Sequence, residues 1–207
     1  MIIAIDGTTS SGKGTLAKRL AAHFGLPHLD TGLLYRAVAA LALATSVDMK
    51  NEMACADLAK GIDLADFDER DLRSASVGAA ASVVASLGAV RHALFDLQRA
   101  FAQQTGGAVL DGRDIGTVIA PDAAFKFWVD ASVEERARRR HLELSGMGEA
   151  VTLETVLAQL RERDARDSQR KDAPSKPAAD AVHIDTTKLT PDQTVERALR
   201  IIAQHRL

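Results

Sequence analysis

The chain opens on an unbroken apolar run, Met1-Ile2-Ile3-Ala4-Ile5, closed by Asp6 and Gly7. A stripe of Leu16, Leu20 and Phe24, flanked by Ala17 and Ala21, follows at helical spacing. A continuous apolar run suits a strand buried on both faces, and the stripe suits a helix laid against it. Gly25-Leu26-Pro27 stops that helix. The same alternation recurs along the chain. A short extended segment, His28-Leu29-Asp30, precedes a helix through Tyr35, Val38 and Leu41, which Thr31 can cap. Residues 45–76, rich in Ala, Asp and Leu, read as short helices and turns, and small residues dominate from Leu72 to Ala85. A helix through Val90, Leu94, Leu97 and Phe101 follows, then Gly106-Gly107 and the run Ala108-Val109-Leu110-Asp111. Phe125, Phe127, Trp128 and Val129 form another buried-strand run. Ser132 with Glu135 makes a capping box for the next helix, and a charged helix spans 152–170. After a last strand at 181–185, Thr190-Pro191-Asp192-Gln193 caps a final helix. Strands near 2–6, 28–30, 108–111, 125–129 and 181–185, separated by helices, predict an α/β fold. Its parallel five-stranded sheet carries helices on both faces.

Composition narrows this further. The 207 residues, 46% hydrophobic and 26% charged, suit one soluble α/β domain with small inserted or mobile parts. Apolar stretches such as 37–44 are too short to span a bilayer, and no basic start or cleavage site precedes the first strand. Cys55 is alone, which leaves no internal disulfide and suits a buried small hydrophobe. A cytoplasmic protein with no membrane partner is expected. A net charge of −2 and only 4% aromatic residues argue against a nucleic-acid partner. Local charge is different: ten of the 26 Lys and Arg residues fall between Arg136 and Lys176. A compact ligand with several phosphates explains such a cluster better than a polymer does.

The chemistry centres on Gly7-Thr8-Thr9-Ser10-Ser11-Gly12-Lys13-Gly14-Thr15, set between strand and helix. Gly7 and Gly12 permit a turn whose successive N–H groups face one hollow. The helix beginning near Lys13 adds its positive dipole end, and Lys13 a mobile cation. The strict phosphate-loop pattern has Ser or Thr directly after the lysine; here Gly14 stands there and Thr15 follows. Asp111, at a strand end, suits magnesium directly or through water, or else caps the next turn. Gly112-Arg113-Asp114-Ile115-Gly116-Thr117 puts opposite charges where α/β sheets bind ligands. Arg36 is either a solvated surface residue or a phosphate contact, and Ser82 reads as a small surface residue on a helix that can pack closely. Arg136, Arg138, Arg139 and Arg140 give a dense cationic face. Arg163, Asp167 and Arg170 share one helix face at i, i+4 and i+7, forming either a salt-bridged solvent ladder or a lid. Asp66, Asp68, Glu69 and Asp71 read as a solvated acidic face.

Taken together, these stretches resemble the bacterial cytidylate kinases, P-loop nucleoside monophosphate kinases, over nearly the whole chain. The residues that carry the likeness are 7–15, Leu29-Asp30-Thr31-Gly32 with Tyr35-Arg36, Ala81-Ser82 with Arg91, and 111–117. Glu135-Arg136-Ala137 with Arg139-Arg140 and Glu162-Arg163-Asp164 through Arg170 complete them. Adenylate and uridylate kinases would show Gly-Phe-Pro-Arg where this chain has Gly112-Arg113-Asp114. The resemblance implies transfer of a phosphoryl group from ATP to CMP or dCMP. It implies that residues 7–15, with Arg139, hold ATP and that Thr15 and Asp111 serve Mg²⁺. Thr31, Arg36 and Arg113 would grip the CMP phosphate end, and Ser82, Arg91 and Asp114 the cytosine edge. Arg163 and Asp167 would reach the sugar and phosphate from a lid, Arg170 would bridge to the transferring group, and Lys13, Arg163 and Arg170 would act in catalysis. It further implies a monomer with a core at 1–30, 106–144 and 178–207, an acceptor-binding region at 31–105 and a lid at 145–177. Thr8 and Ser10 stand where the family often has Pro and Gly, and residues 45–72 are shorter and more helical than in many members. Rival readings are a P-loop kinase for another small acceptor, such as a shikimate-like acid, and a nucleotide-gated switch; the guanine-reading Asn-Lys-x-Asp motif is absent.

Overall fold

The computed structural model describes residues 1–204. The chain runs β1 (Ile2–Gly7), α1 (Lys13–Phe24), β2 (His28–Asp30), α2 (Thr31–Ala44), α3 (Glu52–Ala59), α4 (Glu69–Leu72), α5 (Ala75–Val84) and α6 (Gly88–Ala102). It continues through β3 (Ala108–Gly112), a π-helical turn at Ile115–Ile119, β4 (Phe125–Asp130), α7 (Val133–Gly146), α8 (Leu153–Gln169), β5 (Val182–Asp185) and α9 (Pro191–Gln204). It divides into two units. One holds Met1–Asp30, Arg99–Arg136 and the stretch from Ser175 onward, and the other holds Thr31–Gln98 and Ala137–Pro174.

The first unit contains the sheet, ordered β2-β3-β1-β4-β5 with every pairing parallel and helices on both sides. β1 is central because it is apolar on both faces: Ile3, Ala4 and Ile5 are wholly buried. Leu16 and Leu20 of α1, Val109, Phe127, Val129, Ile184 and Ile202 of α9 complete its core. Register sets Asp6 beside both Gly112 and Trp128, so β1, β3 and β4 end level with one another. All three therefore present their carboxyl ends together, the edge at which open α/β sheets bind ligands. Gly107 lets the chain enter β3 against β1: at φ +97°, a β-carbon there would lie 2.1 Å from the Met1 carbonyl oxygen. The expected capping box on α9 is reciprocal. Thr190 donates its N–H to Gln193 Oε1 at 2.9 Å, and the Gln193 N–H reaches Thr190 Oγ1 at 3.2 Å.

The second unit is helical. α2 packs on α3 and α5, and the buried residues of the two longer helices include the small Ala37, Ala39 and Ala42 of α2 and Gly78, Ala80 and Ala81 of α5. Cys55 is buried there, as expected. The 45–76 region forms short helices, in which Asp68 caps α4 and Glu69 pairs with Arg73 at 2.8 Å. Among the described residues, no group of three or more His, Cys, Asp or Glu could hold a metal ion. No single helix among them is long and apolar enough to cross a membrane.

One local expectation is corrected. Thr31 is not a cap but the first residue of α2, buried at 3% exposure, because β2 passes into the helix without a loop. Arg170 is the C-cap of α8, which ends at Gln169, and at ψ 144° it turns the chain out of the helix. Within the arginine cluster of α7, Arg136 and Arg140 are buried.

Candidate active site

The phosphate loop follows β1 directly. Gly7 is required by space, because a β-carbon would sit 1.9 Å from the Val129 carbonyl oxygen. Gly12, at φ +93°, begins α1 in a left-handed conformation that glycine adopts without cost. Ser10 adopts φ +61° without being glycine, a conformation that side-chain-bearing residues adopt at a cost in backbone strain. The loop carbonyls are taken up by side chains around it. Ser11 Oγ and Lys13 Nζ both donate to the Thr8 carbonyl, at 3.0 and 3.1 Å. Arg136 reaches the Thr9 carbonyl at 3.4 Å, and Thr186 Oγ1 donates to that of Ser11 at 2.7 Å. Thr8 Oγ1 donates to Asp130 at 2.6 Å. The N-terminus of α1 has no side-chain cap and no acidic residue in its first turn. A carbonyl-anchored loop leading into an uncapped helix start, with Lys13 beside it, forms an anion site.

Asp111 closes β3 and is buried at 2% exposure. Its Oδ1 lies 2.7 Å from His28 Nε2, and its Oδ2 lies over Gly14, 3.7 Å from where a β-carbon would be. Burial, and then the neighbouring Asp30, push its carboxyl upward in pKa; the His28 bond and the Lys13 charge oppose them. Gly14 thus lies beside the carboxylate, while Thr15 is exposed one residue further along α1. One buried carboxylate beside an anion loop fits magnesium, which takes few protein oxygens and completes its shell with phosphates and water.

Beyond β3, the Arg113 guanidinium donates to Thr9 Oγ1 at 2.6 Å and to the Gly112 carbonyl at 3.2 Å. The sheet unit therefore joins the phosphate loop to the Arg113-Asp114 turn. Asp114 is buried at 5% exposure.

The helical unit gathers the remaining candidates. Arg36 Nη1 donates to the Leu72 carbonyl at 2.6 Å, and Arg140 Nη2 to that of Arg73 at 2.8 Å. Both guanidiniums converge over Gly78, where a β-carbon would lie 3.3 Å from Arg36 Nη1 and 3.5 Å from Arg140 Nη2. Arg91 lies over the Tyr35 ring at 5.5 Å and donates to the Ala85 carbonyl at 3.4 Å. Ser82 is buried, and its hydroxyl accepts from Arg166 at 2.7 Å. Arg163 Nε lies 3.8 Å from Asp167 Oδ2, and Asp167 is itself buried. Arg170 donates to the Ala173 carbonyl at 2.7 Å, and Arg139 is half-buried on α7.

A family model described as cytidylate kinase matches residues 3–204. The chain belongs to the cytidylate kinase family. A cytidylate kinase of Methylocella silvestris is 58% identical over 202 residues, which cover 98% of this chain and 94% of that one. A cytidylate kinase of Xanthobacter autotrophicus is 58% identical over 206 residues, 100% of this chain and 99% of its own. That of Caulobacter vibrioides is 49% identical, again over 100% of this chain and 99% of its own. A solved structure of an uncharacterized protein from Eubacterium ventriosum aligns over 98% of both chains with a TM-score of 0.57 at 18% identity, a likeness of fold.

In this cytidylate kinase family member, three further residues, each within its own unit, bear on the candidates described above. Arg140 shares the Gly78 notch with Arg36, and Arg166 holds Ser82 while paired with Glu162. Asp6 accepts the N–H groups of Ile115 and Gly116 at 2.8 and 2.7 Å. Burial pushes the Asp6 pKa up to about 7 against those two bonds. Its sequence signal is visible: a carboxylate ending an otherwise apolar, fully buried strand must be satisfied by something. Arg140 and Arg166 carry no comparable signal among so many arginines.

Proposed function

We propose that the chain transfers the terminal phosphoryl group of ATP to CMP or dCMP, giving ADP and CDP or dCDP. One observation carries this reading: the hydrogen bond from Arg113 to Thr9 ties an anion-binding loop to a turn bearing a buried acidic side chain. A donor-phosphate site and a base-reading group thus belong to one rigid edge of the sheet.

The chemistry asks little covalent work of the protein. The acceptor oxygen belongs to a phosphate whose second pKa of about 6 leaves it mostly dianionic at neutral pH, so no general base is needed. Asp114 serves recognition, because the exocyclic amine of cytosine donates to a carboxylate where uracil offers a carbonyl. Ser82 and Arg91 read the same edge, and Thr31, Arg36 and Arg113 hold the acceptor phosphate. Residues 7–15 and Arg139 bind the donor. Lys13, Arg163 and Arg170 offset the repulsion between the two phosphate chains and the charge on the transferring group. Bound with ATP through Asp111 and Thr15, Mg²⁺ would supply charge neutralisation and orientation of the donor phosphates. Residues 145–177, with Arg163 and Asp167, form a lid that excludes water from the phosphoryl group. Residues 31–105 form the acceptor-binding region. The enzyme acts as a cytoplasmic monomer, without nucleic-acid or membrane partners.

The test is ADP formation from MgATP with CMP, dCMP, UMP, AMP, shikimate and water in parallel. Strong turnover with CMP and dCMP, weak turnover with UMP and negligible turnover with water is the expected pattern. Preference for another acceptor would discard the cytosine assignments, and acceptor-independent hydrolysis would favour a nucleotide switch.

A further inference from the structure

We infer that Asp6 is a specificity-determining positioning residue: it caps the turn that Asp114 begins, and so fixes where that turn presents Asp114. The inference rests on the proposed reading of Asp114.

An aspartate that precedes a helical turn ordinarily accepts an N–H of that turn with its own side chain. Asp114 stands in that position, at φ −146° and ψ 23°, yet its side chain makes no capping bond. The turn is of the wide kind that recurs at functional sites. Its hydrogen bonds run from the N–H groups of Val118 and Ile119 to the Asp114 carbonyl, at 2.8 and 3.2 Å, and from the Ala120 N–H to the Ile115 carbonyl at 2.7 Å. Its first two N–H groups, of Ile115 and Gly116, go instead to Oδ1 and Oδ2 of Asp6, 109 and 110 residues away in sequence. The cap is thus supplied from the neighbouring strand.

The surroundings support a built contact. Asp6 is 3% exposed, and a buried carboxyl group is costly unless its oxygens are satisfied, as two backbone N–H groups do here. A β-carbon at Gly116 would lie 3.4 Å from Asp6 Oδ2 and 3.2 Å from Lys126 Cδ, so the absence of a side chain permits the close approach. Register sets Asp6 beside Gly112, the residue before Arg113, and the residue after Asp6 is Gly7 of the phosphate loop. One side chain therefore sets the position of Asp114 relative to the donor phosphates.

The test compares Asp6→Asn with Asp114→Asn in the full-length enzyme. KM and kcat are measured for CMP and UMP, and MgATP affinity is measured separately by equilibrium binding. Asp6→Asn keeps the shape but places an NH2 group against one of the two N–H donors. We expect its KM for CMP to rise about 10-fold or more and the CMP-over-UMP ratio to fall towards that of Asp114→Asn, with MgATP affinity within about 2-fold of the parent. Gly116→Ala, which crowds the same contact from the other side, should shift the same ratio if Asp6→Asn does not fold. Equal losses in CMP use and MgATP affinity would overturn the inference and make Asp6 merely structural. Unchanged discrimination in both Asp6→Asn and Gly116→Ala, alongside a collapsed ratio in Asp114→Asn, would overturn it while sparing the base reading. Unchanged discrimination in Asp114→Asn would remove the base reading, and this inference with it.

Discussion

The phosphate loop is fixed through its backbone: Ser11 and Lys13 both bind the Thr8 carbonyl, and Gly7 lies against the backbone of β4. The arginines of the helical unit are held differently. Arg36, Arg140 and Arg91 reach carbonyls at Leu72, Arg73 and Ala85, near the ends of α4 and α5. The loop is limited by backbone atoms that cannot yield, whereas the arginine cluster is limited by the far ends of flexible side chains. Changes in the first should act sharply, and changes in the second by degrees.

The largest effect belongs to the loop. Lys13→Ala should lower kcat by at least about 10²- to 10³-fold, the order found when one preorganised charge-stabilising donor is removed. Its thermal unfolding should stay close to that of the parent, since Lys13 is only half-buried. Steady-state kinetics beside a melting curve checks this, and retained turnover would take the loop out of the mechanism.

A smaller effect separates the arginine cluster from the loop. Gly78→Ala sets a methyl group 3.3 Å from Arg36 Nη1, so the guanidinium must give by a few tenths of an ångström. KM for CMP should rise roughly 3- to 10-fold with kcat and the KM for ATP little changed. Stability should hold or improve, because alanine favours a helix interior over glycine by about 1 kcal/mol. A matched loss in both substrates would mean that the cluster does not distinguish acceptor from donor.

The subtlest test is of pH. Asp6 has its carboxyl raised from 3.8 to about 7 in the folded protein, so folding favours its protonated form. Its stabilising contribution is full below the unfolded value and is lost as pH rises through the folded one. The melting temperature of the parent should therefore fall relative to that of Asp6→Asn between pH 4 and 7. A flat difference across that window would show the carboxyl ionising equally well in both states.

The sheet and the loop were legible in the chain for a physical reason. Strands β1, β3 and β4 are apolar on both faces and bounded by glycine, proline or acidic residues, and such patterns are local. The cap on α9 was legible for the same reason, because its partners lie three residues apart. The left-handed backbone at Ser10 was not legible locally, because nothing in its residue type asks for that conformation.

By itself, then, the sequence determined the alternation of strands and helices, the phosphate loop and the family to which the chain belongs. Those features depend on contacts along the chain and on the period of its apolar residues. Tertiary structure alone decided which arginines are buried, that Arg166 holds Ser82, and that Asp6 rather than Asp114 caps the turn after β3. A hydrogen bond is set by the meeting of two atoms within about 3 Å. Where those atoms lie on strands joined only by the folding of the whole sheet, no spacing in the sequence records their meeting.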